Sequence, residues 1–219
     1  MPWPATHVII ADQVYDKYFR QLYKQAFIIG TCFPDIRYPA KIKRNLTHFR
    51  EVTLQQIQGQ ESFQAGVLFH SLTDRLWNTY MREQDVYQYC KFNAINHHAL
   101  KLLQDQVIYE KILDWKAFTK YFDTVLPQEQ VFGINEQLLR SWHSSLANYM
   151  SKSPCQHDIK MLESSMTAEV INDIHASYKM LSQKSPVIKI LEEFYNAAPL
   201  MMASQSAEIE FSDKLKGLT

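Results

Sequence analysis

The chain has 219 residues, 46% hydrophobic and 21% charged, which supplies enough apolar side chain for a sizeable core and excludes a disordered chain. Its 23 Lys plus Arg balance 23 Asp plus Glu, which speaks against nucleic-acid binding, where a basic excess or stripe is the usual mark. Cys32, Cys90 and Cys155 are odd in number and widely spaced, so neither a disulfide framework nor a cysteine zinc site is readable, and a reducing compartment fits.

Only five glycines, together with apolar residues recurring every three and four positions and no sustained alternation, predict an all-α, multi-helix protein. We read residues 1–219 as a single domain with a polar tail after Pro199. No run approaches the roughly 20 apolar residues of a membrane helix. Met1 to His7 lacks the basic and apolar regions of a secretory signal, so a cytoplasmic location is expected.

The first helix is predicted to start with Thr6 at or near its N-cap, with Ile10, Ala11, Val14, Tyr18 and Leu22 facing inward. A connection from Gly30 to Pro39 follows, in which Gly30 allows unusual dihedrals and Pro34 and Pro39 stop a helix. Lys41 to Arg44 is the densest basic spot, either a solvated loop or an anion site. Ser62 is the expected cap of a helix on which Phe63, Val67, His70, Asp74, Trp77 and Met81 form one stripe. Asp85 is the expected cap of a long helix through Ile112. Trp115 to Val125 is read as another helix, ending at Pro127. Asn135 and Thr167 cap two more, 151–158 is a break, and Ser185 and Pro186 open a last helix through Tyr195.

Against this apolar background five ionisable residues stand out: His7, Asp35, His48, His70 and Asp74. All are nitrogen or oxygen donors suited to zinc or a similar divalent ion. At i and i+4 on one helical face, His70 and Asp74 lie about 5–6 Å apart at Cβ and can share a cation. Each also has a plain structural reading, as a hydrogen-bonded core histidine, a turn aspartate or half of an ion pair. Spacing alone leaves both readings open.

The order and context of the five resemble the zinc-dependent phospholipase C family, which includes the N-terminal domain of glycosylphosphatidylinositol-specific phospholipase D. Pro4 to Ala11 is similar to the family's opening, Ile29 to Asp35 with Tyr38 and Pro39 to its glycine-x-x-x-proline-aspartate loop, Thr47-His48-Phe49 to its threonine-histidine element, and Ala65 to Asp74 to its central H-x-x-x-D helix. The resemblance covers roughly residues 4–80. It implies an all-α bundle of the phospholipase C type with zinc in a cleft, and hydrolysis of a phosphoester or phospholipid substrate by zinc-bound hydroxide. Asp35, His48, His70 and Asp74 would surround one zinc, and His7 would serve a neighbouring one, aided by the amine left on Pro2 if Met1 is removed. Asp35 would also position or deprotonate the attacking water, and Arg37 and Tyr38 would reach the phosphate.

The chain also departs from the family. The family's next ligands fall where this sequence has Asn78 and Tyr80, and the helix that follows offers His97 and His98 with Lys101 and Leu102, not an acid, four residues on. His98 with Asp105 is an irregular substitute, and Asn78 a further candidate, which leaves one or two zinc ions expected. The alternative is a degenerate, non-catalytic helical protein that keeps one metal or none and acts by binding. A phosphohydrolase of the HD type would need an adjacent His-Asp pair in the core, and the only such pair is His157-Asp158, in the expected break.

Overall fold

The computed structural model describes residues 3–112, 114–154 and 166–216, with backbone alone for 205–216. Within these residues every regular element is a helix. The principal ones are α1 (Pro4–Tyr18), α2 (Lys24–Cys32), α3 (Arg37–Ala40), α4 (Leu54–Gln58), α5 (Ser62–Glu83), α6 (Ala94–Ile108), α7 (Trp115–Thr119), α8 (Pro127–Gln130), α9 (Glu136–Met150), α10 (Ala168–Leu181) and α11 (Ser185–Lys216). One continuous apolar core, from Trp3 to Met202, draws side chains from nearly all of them. No helix among the described residues is long and apolar enough to cross a membrane.

The central element is α5, whose buried residues run from Phe63 to Met81. Its cap is Glu61, not Ser62: the Glu61 carboxylate accepts from the Phe63 and Gln64 amides at 3.1 and 2.8 Å. Ser62 Oγ instead accepts from the Tyr23 amide at 2.8 Å and ties the start of α2 to α5.

The segment read as a turn around Gly30 is helical. Gly30 lies inside α2 because that helix crosses α5 with backbones in contact, not because a turn needs special dihedrals. A Cβ on Gly30 would sit 2.1 Å from the Phe63 carbonyl oxygen, and one on Gly66 2.1 Å from that of Phe27. The chain leaves α2 through a 3-10 turn, Phe33–Ile36, which carries Asp35, and enters α3.

Other boundaries shift for identifiable reasons. The first helix starts at Pro4, and its cap comes from far away in sequence: the Asp105 carboxylate of α6 accepts from the Ala5 and Thr6 amides at 3.0 and 2.8 Å, from the Thr6 hydroxyl, and from Tyr149 at 3.0 Å. Asp85 caps no long helix. It adopts a left-handed backbone with φ of 47° before a 3-10 turn, and Asn93 caps α6 by accepting from the Asn96 amide at 2.8 Å. The stretch from Trp115 is likewise broken, with α7 ending at Thr119 and a 3-10 turn following. Asn135 and Thr167 do cap α9 and α10.

The last helix runs on through Pro199. Proline has no N–H for the carbonyl four residues earlier. Here Gln13 Nε2 of α1 donates to that Tyr195 carbonyl at 3.0 Å, so the orphaned acceptor is satisfied and the helix continues.

Candidate metal centre

Four segments deliver the five residues to one place. His7 comes from the first turns of α1, anchored by Asp105. Asp35 comes from the 3-10 turn after α2, and His48 from just after a second 3-10 turn, Arg44–Leu46. His70 and Asp74 come from the face of α5 turned toward α1 and α2.

Their donor atoms converge in two groups sharing His70, namely His7, His70 and Asp74, and Asp35, His48 and His70, each within 4.8 Å. His7 Nε2 lies 3.4 Å from Asp74 Oδ1, and His70 Nε2 3.6 Å from Asp74 Oδ2. His48 Nε2 lies 3.7 Å from Asp35 Oδ1 and 3.9 Å from Asp74 Oδ2, and His70 Nε2 is 4.0 Å from Asp35 Oδ1. These separations exceed the roughly 2.7–3.2 Å of an N–H···O bond. They match two ligands of one ion, which stand about 3.4 Å apart when each is about 2.0–2.1 Å from a tetrahedral zinc.

Hydrogen bonding around the cluster fixes which nitrogens face it. His70 Nδ1 donates to the Thr31 carbonyl at 2.9 Å, a contact made possible by the close α2–α5 crossing. His48 Nδ1 donates to Thr47 Oγ1 at 3.0 Å, and the Thr47 hydroxyl donates in turn to the Pro34 carbonyl at 3.2 Å. With Nδ1 protonated, a neutral imidazole presents a lone pair at Nε2. The His7 ring stacks on that of His70 with centroids 4.0 Å apart. Both ring nitrogens of His7, His48 Nε2, His70 Nε2, Asp35 Oδ1 and both Asp74 oxygens are buried without a hydrogen-bond partner. At His48 and His70 acceptors face acceptors, and the one N–H of neutral His7 is the single donor the five side chains bring to the cluster.

The electrostatics conflict in the same way. Burial opposes charge on Asp35 and Asp74, but their interaction with the neighbouring imidazoles of His70, His48 and His7 outweighs it, holding Asp74 down to about 2 and Asp35 lower still. Burial meanwhile lowers His48 and drives His7 down to about 4, which keeps both neutral at pH 7. The carboxylates require positive charge beside them while the apolar surroundings strip it from the imidazoles. A divalent cation meets both demands at once, being charged itself and a partner for neutral imidazole and ionised carboxylate.

Another buried pair shows what a satisfied cluster looks like in this protein. His143 Nε2 lies 2.7 Å from Glu129 Oε1, His143 Nδ1 3.1 Å from the Phe122 carbonyl, and Glu129 Oε2 accepts from the Leu126 amide at 2.7 Å. Every polar atom is bonded, so this pair braces α8 against α9. The sequence reading passed over it, although His143, one turn past Leu139, falls on the inward stripe of α9.

The remaining candidates sit elsewhere. Asn78 Nδ2 donates to the Asp74 carbonyl at 2.8 Å, and Tyr80 packs against Phe194. His97 meets Tyr87 and the edge of Trp77, and His98 lies edge-on to Trp3. Asp105 cannot partner His98 as a ligand because its oxygens are engaged at the start of α1. Arg37 stacks over the Tyr38 ring at 3.8 Å. The Pro2 amine and the pair His157-Asp158 lie outside the described residues.

A cleft of about 780 Å³ opens on the cluster at His48 and Asp74. Its walls include Arg44, Arg50, Arg75, Arg82, Glu51 and Asn78, while Arg37 and Tyr38 are not in its lining. Of this wall, sequence reasoning marked only Arg44, at the end of the basic spot from Lys41. The rest leaves its clearest linear trace in Arg75, Asn78, Thr79 and Arg82, one polar stripe along α5.

No protein family, curated protein or solved structure matches this chain. The fold and site define an all-α protein with buried His/Asp groups able to hold a metal ion.

Proposed function

We propose that the protein is a metal-dependent phosphoester hydrolase resembling the zinc-dependent phospholipases C. The observation that carries the reading is the acceptor-rich cluster, buried at the floor of an open cleft. A buried polar network left unpaired by the protein's own donors calls for a cation. Three imidazole nitrogens and two carboxylates are a donor set that suits zinc. His7, His70 and Asp74 would hold an ion in one position, or Asp35, His48 and His70 in the other, since the single lone pair of His70 Nε2 serves one ion at a time. Zinc bound there would supply a Lewis acid that draws charge from a phosphoryl oxygen and lowers the pKa of water to about 7.

The chain's own residues do the rest. Thr31 and Thr47 fix the tautomer and aim of His70 and His48. Asp35 is the more exposed carboxylate side chain, 18% against 8% for Asp74, which supports it as the base, while Asp74 and not Asp35 lines the cleft. The Asp35 carboxylate would accept the proton as the water oxygen attacks phosphorus, and that proton would pass to the departing ester oxygen, which leaves as an alcohol. The deeper Asp74 stays on the histidines.

A second reading, a metal-holding protein without turnover, is favoured by one observation: Asn78, Tyr80 and His98 contribute no donor to either group. Elemental analysis of bound metal, paired with hydrolysis of a panel of chromogenic phosphoesters with and without a second phosphate, separates the two. Zinc with turnover is expected. Metal without turnover favours the binding protein, and absence of metal from protein purified in zinc-containing buffer overturns both.

A further inference from the structure

The sequence contains seven arginines and 16 lysines and has no net charge. Four of those arginines, Arg44, Arg50, Arg75 and Arg82, line the cleft beside the cluster, and no lysine does. Random placement of basic side chains would favour lysine by more than two to one. Arginine is the side chain whose planar fork binds phosphate through paired hydrogen bonds, whereas lysine acts as a point charge.

The four reach the cleft from two sides. Arg44 and Arg50 flank the 3-10 turn that delivers His48, and Arg75 and Arg82 lie two turns apart on α5, on either side of Asn78 and Thr79. Arg75 is braced, its Nη2 donating to the Val52 carbonyl at 2.6 Å. Arg44, Arg50 and Arg82 are exposed, and no ion pair to Arg50 or Arg82 is present among the described residues. Against four positive charges the lining sets only the carboxylates of Glu51 and Asp74, and Asp74 belongs to the cluster.

We infer that this cleft selects phosphoesters carrying at least one further phosphate beyond the reacting group. The inference rests on the hydrolase reading and names its substrate class. One phosphate at the cluster would face a metal ion and the edge of the arginine wall. It would leave Arg50 and Arg82, both exposed, for a second anionic group. A cleft of about 780 Å³ is of the size that encloses a small organic ligand. Confined basic walls also focus the field on a polyanion more strongly than on a zwitterion such as a phosphocholine ester.

The test uses a ligand that cannot be hydrolysed. Methylenediphosphonate and methylphosphonate are titrated calorimetrically into the full chain, once freed of metal and chelator and once with zinc restored. The diphosphonate is expected to bind at least about tenfold tighter in both states, with a preference that weakens as salt rises. The double variant Arg50→Gln/Arg82→Gln, both exposed positions, should lose at least about tenfold of that affinity while keeping the thermal midpoint and zinc content of the wild type. Equal affinity for the two phosphonates, or an unchanged diphosphonate affinity in the double variant, overturns the inference even when zinc is bound and phosphodiesters are hydrolysed. Arginine-dependent binding without bound zinc or turnover upholds the polyanion site and removes the hydrolase reading instead. A nucleoside bisphosphate and an inositol trisphosphate, titrated in parallel, tell which scaffold carries the phosphates.

Discussion

Replacing Asp74 by Asn should stabilise the metal-free protein and abolish most of the stability gained from metal. In the metal-free state both Asp74 oxygens are buried without a donor, and three histidine Nε2 atoms face them at 3.4, 3.6 and 3.9 Å. With His48 and His70 neutral and protonated at Nδ1, their contacts with Oδ2 are acceptor pairs. An amide of the same shape, with its nitrogen in the Oδ2 position, offers two N–H donors to His70 and His48 and removes a buried charge, a gain of about 1–2 kcal/mol. With zinc the sign reverses. A site at 1,000 times its dissociation constant adds about 4 kcal/mol of stability, and losing one anionic ligand weakens binding at least about a hundredfold, or about 2.7 kcal/mol. Urea denaturation of wild type and Asp74→Asn, each with chelator and with excess zinc, gives all four free energies, and elemental analysis gives the metal content. If the substitution instead costs the metal-free protein about 3–5 kcal/mol, Asp74 is half of a buried ion pair with imidazolium, and the reasoning fails.

Other consequences are open to the same measurements. Thr47→Val should leave the fold intact and weaken zinc binding by about 10- to 100-fold, because His48 loses the acceptor that fixes its tautomer; unchanged affinity would mean that the Thr47 contact does not orient the ring. Gly66→Ala places a Cβ 2.1 Å from the Phe27 carbonyl oxygen and 2.6 Å from the Thr31 nitrogen, so α2 must move away from α5. A loss of about 3 kcal/mol in urea, together with weakened zinc binding through the Thr31–His70 contact, is expected. Asp105→Asn should cost about 2–4 kcal/mol by setting an amide donor against the Ala5 and Thr6 amides, read from the thermal midpoint. The chelated protein should lose stability as pH falls from 6.5 to 4: native His7 takes up a proton only near 4, whereas the unfolded side chain does so near 6.5. That difference amounts to about 3 kcal/mol, and it should be missing from the profile of His7→Gln.

Much of the site was legible in the chain because its residues break a local rule. His70 and Asp74 interrupt an apolar helical stripe, and a charge on a stripe must meet something. His7 was marked by its place on the inward face of the first helix. What those residues meet depends on neighbours 26 to 67 positions away, and periodicity carries no such information. The Gly30 region shows the limit most plainly. A glycine between helical signals looks like a turn, and only the approach of α5 shows that its missing side chain makes room for another backbone.

The helix boundaries divide along the same line. Asn135 and Thr167 act on their own first turns and could be read directly. The start of α1 and the continuation of α11 through Pro199 depend on Asp105 and Gln13, which lie far off in sequence, so local reasoning placed both boundaries wrongly. The arginine wall was invisible for a similar reason. Its members come from two segments of a chain without net charge, and composition averages them away.

By itself, then, the sequence determined helical architecture and the identity of five candidate ligands, since periodicity and misplaced polarity are local properties of a chain. Tertiary structure alone decided that the five share one buried cluster, that acceptors outnumber donors among their free atoms, and that arginines gather beside them. Those are relations between segments, set when the α2–α5 crossing and the capping of α1 bring distant residues within a few ångströms.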